Sequence, residues 1–240
     1  MGGDRRFANA FSVARLSSGC ELSTESLIRS ASAGELHEVA PIWRQGVRIV
    51  RCLPTAPALV LGSRQTDDIV DRSALEREGL VMFRRRSGGG AVLVDASHSV
   101  WIDIEIGVED PRYCAEPMSM MAEVGRWWMK ALAALNCCPP DIWQFEGAME
   151  CDAGGDVICF AGRAHGELMV GESKLVGLSQ RRTRDGARVQ GQLHFGDPTD
   201  VMMAVLAEHR THVRRPALLP WSSWDIIDSD LLAALTTAAA

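Results

Sequence analysis

Residues 83–92 read Phe-Arg-Arg-Arg-Ser-Gly-Gly-Gly-Ala-Val. Three consecutive glycines, Gly88, Gly89 and Gly90, let a chain turn sharply and let its backbone approach a ligand without Cβ interference. Their N–H groups can converge into an anion-binding nest. Arg84 and Arg85, just upstream, offer forked donors that suit phosphate or carboxylate. The GxxxxGK[ST] pattern of a P-loop is missing, and a plain glycine hairpin beside solvated arginines accounts for the loop equally well. A second segment, residues 167–182, carries Gly171 at a hairpin turn, then Lys174 opening an apolar strand, then Gly177 where a close backbone approach would fit. Lys174 and Lys130 are the only lysines; every other strongly basic side chain is arginine. A lone lysine in such a chain suggests a compact point charge that arginine would not replace. The competing role is an edge-strand lysine that discourages aggregation.

Strand-like runs surround these residues. Residues 47–52 (VRIVRC) alternate apolar and polar, and residues 58–61 form a short apolar run closed by Gly62. Residues 80–83 and 91–94 flank the glycines. Residues 100–106 alternate with period two, which puts Val100, Ile102, Ile104 and Ile106 on one face. Residues 168–170, 175–178 and 189–195 complete the set. Helices are expected at residues 23–32, capped by Ser23 or Thr24, and at 71–78, 116–135, 199–208 and 228–235. In the longest, Met120, Met121, Val124, Trp127, Trp128, Ala131, Leu132 and Leu135 recur at helical spacing, which reads as core packing. Residues 236–240 are expected to fray. Strands outnumber helices and follow one another. This predicts an α+β fold with a mixed, largely antiparallel sheet and flanking helices.

The 240 residues are 47% hydrophobic and 23% charged, an ordinary globular composition that suits one domain spanning residues 1–240. A net charge of -6 argues against broad nucleic-acid binding. The arginines nevertheless cluster, at Arg84, Arg85 and Arg86 and at Arg181, Arg182, Arg184 and Arg188, which suggests a specific anionic ligand or an acidic partner. No apolar run approaches the roughly 20 residues of a membrane span, and no secretory h-region follows Arg5 and Arg6, so a cytoplasmic protein without membrane association is expected. The seven cysteines (Cys20, Cys52, Cys114, Cys137, Cys138, Cys151, Cys159) are odd in number and lack a CxxC, which predicts reduced thiols and no structural zinc. His37, His98, His165, His194, His209 and His212 show no ligand spacing, so no metal-ligating residues are assigned.

Together the motifs resemble the biotin/lipoate protein ligase family, in particular relatives of lipoate-protein ligase A. RRRSGGGAV resembles that family's RRxSGGGAV loop. ESKLVGLSQRR followed by ARVQGQL resembles its GRKIxGSAQxR segment and the strand after it. Leu61-Gly62-Ser63-Arg64-Gln65 resembles its GxxQ element, and Asp67 to Asp71 lead into the expected helix. Order and spacing agree from about residue 43 to residue 196. The resemblance implies a class II synthetase-like catalytic domain and a two-step reaction. ATP, with Mg²⁺, activates lipoate or octanoate as an acyl-adenylate, and a carrier lysine then takes the acyl group. Lys174 matches the catalytic lysine. Arg84, Arg85, Ser87, Gly88, Gly89, Gly90 and Ala91 match the loop lining the acyl and nucleotide site, with Gln65, Gly177 and Asp95 as further binding positions. Implied partners are the lipoyl carrier domains of 2-oxoacid dehydrogenases or the glycine cleavage H protein. Leu93 and Val94 stand where an aromatic residue and His are usual, and Val100 or a neighbour where Asn is expected. Only about 44 residues follow Gly196, too few for the full C-terminal accessory domain of longer ligases, which raises the expectation of an accessory subunit.

Cys159, in Ile158-Cys159-Phe160, matches the nucleophile of a branch of the same family that transfers octanoyl or lipoyl groups through a thioester without ATP. A thiol beside Lys174 would have a lowered pKa and so be more available as the thiolate nucleophile. The adenylating ligase is the first reading and the Cys159 transferase the second; a non-catalytic acyl-binding subunit is a third. A biotin-type ligase is disfavoured because the loop is not of the GRGRxGRxW type.

Overall fold

A computed structural model describes residues 23–41, 43, 46–151, 154–206 and 213–240. Among the described residues, ten strands and five helices form two sheets with helices packed on them: β1 (Thr24–Ala31), α1 (Ala33–Glu38), β2 (Val47–Pro54), β3 (Ala58–Leu61), α2 (Arg72–Arg77), β4 (Val81–Arg84), β5 (Val92–Val94), β6 (Ser99–Gly107), α3 (Pro117–Ala134), β7 (Ile142–Gln144), β8 (Leu168–Val170), β9 (Ser173–Arg182), β10 (Gly186–His194), α4 (Thr199–Val205) and α5 (Trp224–Ala238). The large sheet runs β1-β2-β6-β10-β9-β8-β7 and the small one β4-β3-β5. Pairing is antiparallel except for β1 with β2 and β3 with β4. The expected α+β fold with a mixed, largely antiparallel sheet is therefore present.

Period-two alternation explains how the large sheet uses its two faces. Val100, Ile102, Ile104 and Ile106 of β6 pack on Met120, Val124, Trp127, Trp128, Ala131 and Leu132 of α3 and on Ile227, Leu231 and Leu235 of α5. Trp128 crosses β10 at Gly191, where an added Cβ would lie 2.6 Å from the indole nitrogen. The opposite face of β6 carries Trp101, Asp103 and Glu105, and these are buried too. A second core joins the small sheet to α1, through Ala33, Leu36, Val60, Val92, Val94 and Trp101. A third sits under α2 and α4.

The sequence-based expectations fail in three places. Residues 23–32 are not a helix: residues 24–31 form β1, an edge strand beside β2, and the helix begins after Ser32. Ser32 is the N-cap; its side chain accepts from the Glu35 N–H while Glu35 reaches back to the Ser32 N–H, a complete capping box. The parallel partner β2 decides for strand, and pairing of that kind leaves no local signature. The C-terminus does not fray: α5 continues to Ala238, and Ala239 is buried. Strand β7 was not anticipated. Helix α4 ends at Val205, and the remainder of the expected 199–208 helix, like Cys20, His209 and His212, lies outside the described residues.

Candidate active site

The glycine loop leaves β4, turns, and enters β5, with a network of bonds fixing its shape. Arg85 is 4% exposed. Its guanidinium donates to the Val60 carbonyl at 3.3 Å and to the Gly88 and Gly90 carbonyls at 2.8 Å each, so it holds the loop closed from within. Gln65 clamps the loop's neighbours, accepting from the Gly62 N–H and donating to the Val157 carbonyl, both at 2.9 Å. Gly62 has no room for a side chain, because a Cβ would collide with the Gly89 carbonyl; Gly89 itself has φ +98°. Ala91 and Cys159 exchange ladder bonds with the chain at 157–159: Ala91 N–H to the Val157 carbonyl at 2.7 Å and Cys159 N–H to the Ala91 carbonyl at 2.9 Å. Among the described residues, none accepts from the N–H groups of Gly88, Gly89 or Gly90. Such consecutive open donors suit an anion.

Beside the loop lies an open pocket walled by both sheets. Val92, Val94, Trp101, Phe160 and Leu178 supply apolar surface; Arg85, Cys159, Ser179, Gln190, Gln192 and His37 supply polar groups. Ser179 Oγ lies 3.3 Å from Ser87 Oγ and so joins the pocket wall to the loop. Gly177 leaves space for the Phe160 ring, which would lie 3.0 Å from a Cβ there.

Lys174 comes to this place through a register shift between β8 and β9 next to Met169, its cross-strand partner. A bulge of this kind re-aims a side chain. The ammonium is 2% exposed. It donates to the Cys159 carbonyl at 2.7 Å and to Glu167 Oε2 at 2.8 Å, and lies 5.5 Å from the centre of the Phe160 ring. Two of its three donors are thus engaged, which leaves one. Glu167 is equally buried; it also accepts from the Ala164 N–H at 2.6 Å and the Leu178 N–H at 3.1 Å. Burial pushes its carboxyl above the usual carboxylate range, while Lys174 pulls the other way. A buried ion pair is tolerated when its remaining polar atoms are also bonded; the Glu167 oxygens meet this through two backbone N–H groups, and Lys174 keeps one donor in reserve.

Two expected positions serve elsewhere. Arg84 pairs with Asp67 at the surface. Asp95 sits in the turn between β5 and β6, where it accepts from the Ser97 N–H and hydroxyl and pairs with His98; it does not line the pocket. Among the described residues, no cluster of three His, Cys, Asp or Glu side chains is placed to hold a metal, so no side chain is assigned to Mg²⁺. The six described cysteines are free. Glu167, Gln190, Gln192 and His37 escaped the sequence analysis. The period-two alternation of Gln190 and Gln192 along β10 was the readable sign of a polar face; that it lies opposite Trp101 and Asp103 comes from the structure.

An apolar pocket, a glycine loop with open donors and a buried lysine thus lie together between the two sheets. Residues 43–218, nearly three quarters of the chain, match the lipoyl protein ligase A/B catalytic domain model, and the chain belongs to that family. No curated protein sequence matches it. Solved structures share its fold. A candidate lipoate protein ligase of T. acidophilum with bound lipoic acid superposes with a TM-score of 0.64 at 14% identity, covering 89% of this chain and 84% of that one. A lipoate-protein ligase A bound with ATP gives 0.63 at 17%, covering 89% and 82%. P. falciparum LipL1 in complex with lipoate gives 0.52 at 13%, covering 79% and 45%. Among the described residues, no helix is long and apolar enough to cross a membrane.

Proposed function

We propose that the protein attaches a lipoyl or octanoyl group to a lysine of a lipoyl carrier domain after activating the free acid with ATP. The observation that carries this reading is the adjacency of three parts: open glycine-loop donors for phosphate, an apolar pocket for the acyl chain, and the Lys174 ammonium held by Glu167 and by the backbone carbonyl of the pocket residue Cys159. In the first step a carboxylate oxygen attacks the α-phosphorus and pyrophosphate leaves. In the second, the carrier's lysine amine attacks the acyl carbon, loses a proton, and AMP leaves. The remaining Lys174 donor faces charge that builds on acyl and phosphate oxygens in both steps, and preorganised donors of this kind lower such barriers. Mg²⁺ would accompany the phosphates, held by them and water. Relatives of this fold bind lipoic acid and ATP, and a bipartite lipoate ligase of Thermoplasma acidophilum has been studied with its E2 lipoyl domain.

A second reading has its own support: Cys159 lines the pocket, whereas Lys174 does not. In it, the Cys159 thiolate displaces the thiol of an octanoyl thioester, and the carrier lysine then takes the acyl group and releases Cys159. Mass analysis of the carrier separates the two. A gain with free acid that needs ATP and Lys174 supports the ligase. A gain only from octanoyl thioester, lost in Cys159→Ser, supports the transferase. A gain from free acid that appears only when a second subunit is added would make this chain half of a bipartite ligase.

A further inference from the structure

We propose that His37 is a substrate-binding residue whose Nε2–H donates to the acyl oxygen held in the pocket, the carboxylate of a free acid or the carbonyl of a thioester. The proposal rests on the acyl-transfer reading above. His37 precedes the stretch matched by the family model, and it enters the pocket on α1, a helix of only six residues.

The argument begins at Asp103, which is fully buried. It accepts from Trp101 Nε1 at 2.7 Å and from Arg188 Nε at 2.8 Å, so it is a carboxylate with a cation on it. It also faces the Gln190 side chain at 3.1 Å. A carboxylate only accepts, so the Gln190 group turned toward it must be the NH₂. The second hydrogen of that NH₂ points to His37 Nδ1 at 3.3 Å. Nδ1 therefore accepts, and the proton of the neutral imidazole sits on Nε2. Burial keeps the ring neutral by pushing its pKa down to about 4. The ring itself is fixed between Trp101 and Phe83, with centroids at 4.5 and 5.6 Å. Arg188 fixes the backbone as well, donating to the carbonyls of Leu36, His37 and Val39 at the end of α1.

The result is a donor of known tautomer on a residue that lines the pocket. Nε2 is closed off from solvent and has no partner among the described residues. A buried donor left unpaired is unfavourable, and the pocket beside it is where an acceptor would arrive. The ring stacks on Phe83, two residues before Arg85 on the strand that leads into the glycine loop, and His37 and Arg85 both line the pocket, which places His37 toward its glycine-loop end, where the acyl head must lie for reaction. A neutral imidazole can polarise a carbonyl in this way.

The test uses the full chain with ¹⁵N-labelled histidine and octanoate as probe. The spectrum should show the His37 proton on Nε2, and saturating octanoate should shift that resonance. His37→Phe keeps the ring stack without the donor. It should weaken octanoate binding roughly tenfold, the worth of about one hydrogen bond. It should also slow acyl transfer to the carrier by roughly 10²-fold, mostly in kcat. His37→Gln should restore part of the rate. Gln190→Leu should release the tautomer and add little to His37→Phe in the double variant. Assays with free acid plus ATP and with octanoyl thioester distinguish which oxygen His37 contacts. A proton on Nδ1, or a His37→Phe protein that binds and transfers like wild type, overturns the proposal while leaving the acyl-transfer reading intact. A wild type that neither binds octanoate nor transfers from either donor overturns both.

Discussion

The proposed role of Lys174 ties chemistry to stability through its ion pair with Glu167. Both are buried, and each is the other's charge partner. Removing one leaves an uncompensated buried charge, which typically costs about 3–5 kcal/mol. Glu167→Ala should therefore lower stability in urea unfolding by about that amount and also abolish transfer, because Lys174 loses its fixed position. Lys174→Arg should fail to transfer even if it folds, since a planar guanidinium cannot replace a compact ammonium with one donor to spare. The two effects separate when unfolding and carrier mass gain are measured on the same preparations. At this scale the sequence was legible where chemistry is local. The glycine loop and Lys174 stood out by composition alone. Glu167 and His37 did not, because their partners lie across strands: Glu167 bonds Leu178, and Gln190 links His37 to Asp103.

The elements that hold the site tolerate little change. Gly62 faces the Gly89 carbonyl with no space for a Cβ, and Gly90 would place one 2.7 Å from the Val157 carbonyl. Gly62→Ala should displace the glycine loop, with a stability loss of about 1–3 kcal/mol typical of overpacking and a disproportionate fall in transfer rate. Equal rates in Gly62→Ala and wild type would contradict the role given to the loop. Ser32→Ala removes the α1 cap and should cost about 1 kcal/mol, read by thermal unfolding. That helix also shows where element-level reading broke down. The Ser32 and Glu35 pair was a capping signal in plain view, but the helix start was placed one segment early because Thr24–Ala31 carries no strand signature of its own; β2 supplies it. By contrast β6 and α3 were readable because their apolar periods are long and unbroken.

Across the whole molecule, burial of titratable groups ties stability to pH. His194 is fully buried against Phe160, and burial lowers its pKa from 6.5 to about 4. A histidine neutral in the folded state and protonated in the unfolded one contributes stability above about pH 6.5 that is lost as pH falls toward about 4. Glu105 and Glu167, raised by burial, act in the opposite sense. His194→Phe should therefore show a smaller loss of urea stability than wild type between about pH 7 and about pH 5; an unchanged loss would contradict the assignment. The order of strands and the division into two sheets were not legible, since they rest on pairings such as β2 with β6 and β3 with β5 that span tens of residues. The fold class was legible, through the excess of strands and their alternation. The central claim is that this site passes an acyl group to a carrier lysine. The most direct test is the intact mass of an unmodified lipoyl carrier domain after incubation with the protein, octanoate and Mg-ATP, and in parallel with octanoyl thioester alone. The account predicts one acyl mass increment on the carrier, on its lysine, absent with Lys174→Ala. An unmodified carrier in both mixtures, with an accessory subunit supplied as well, would contradict it.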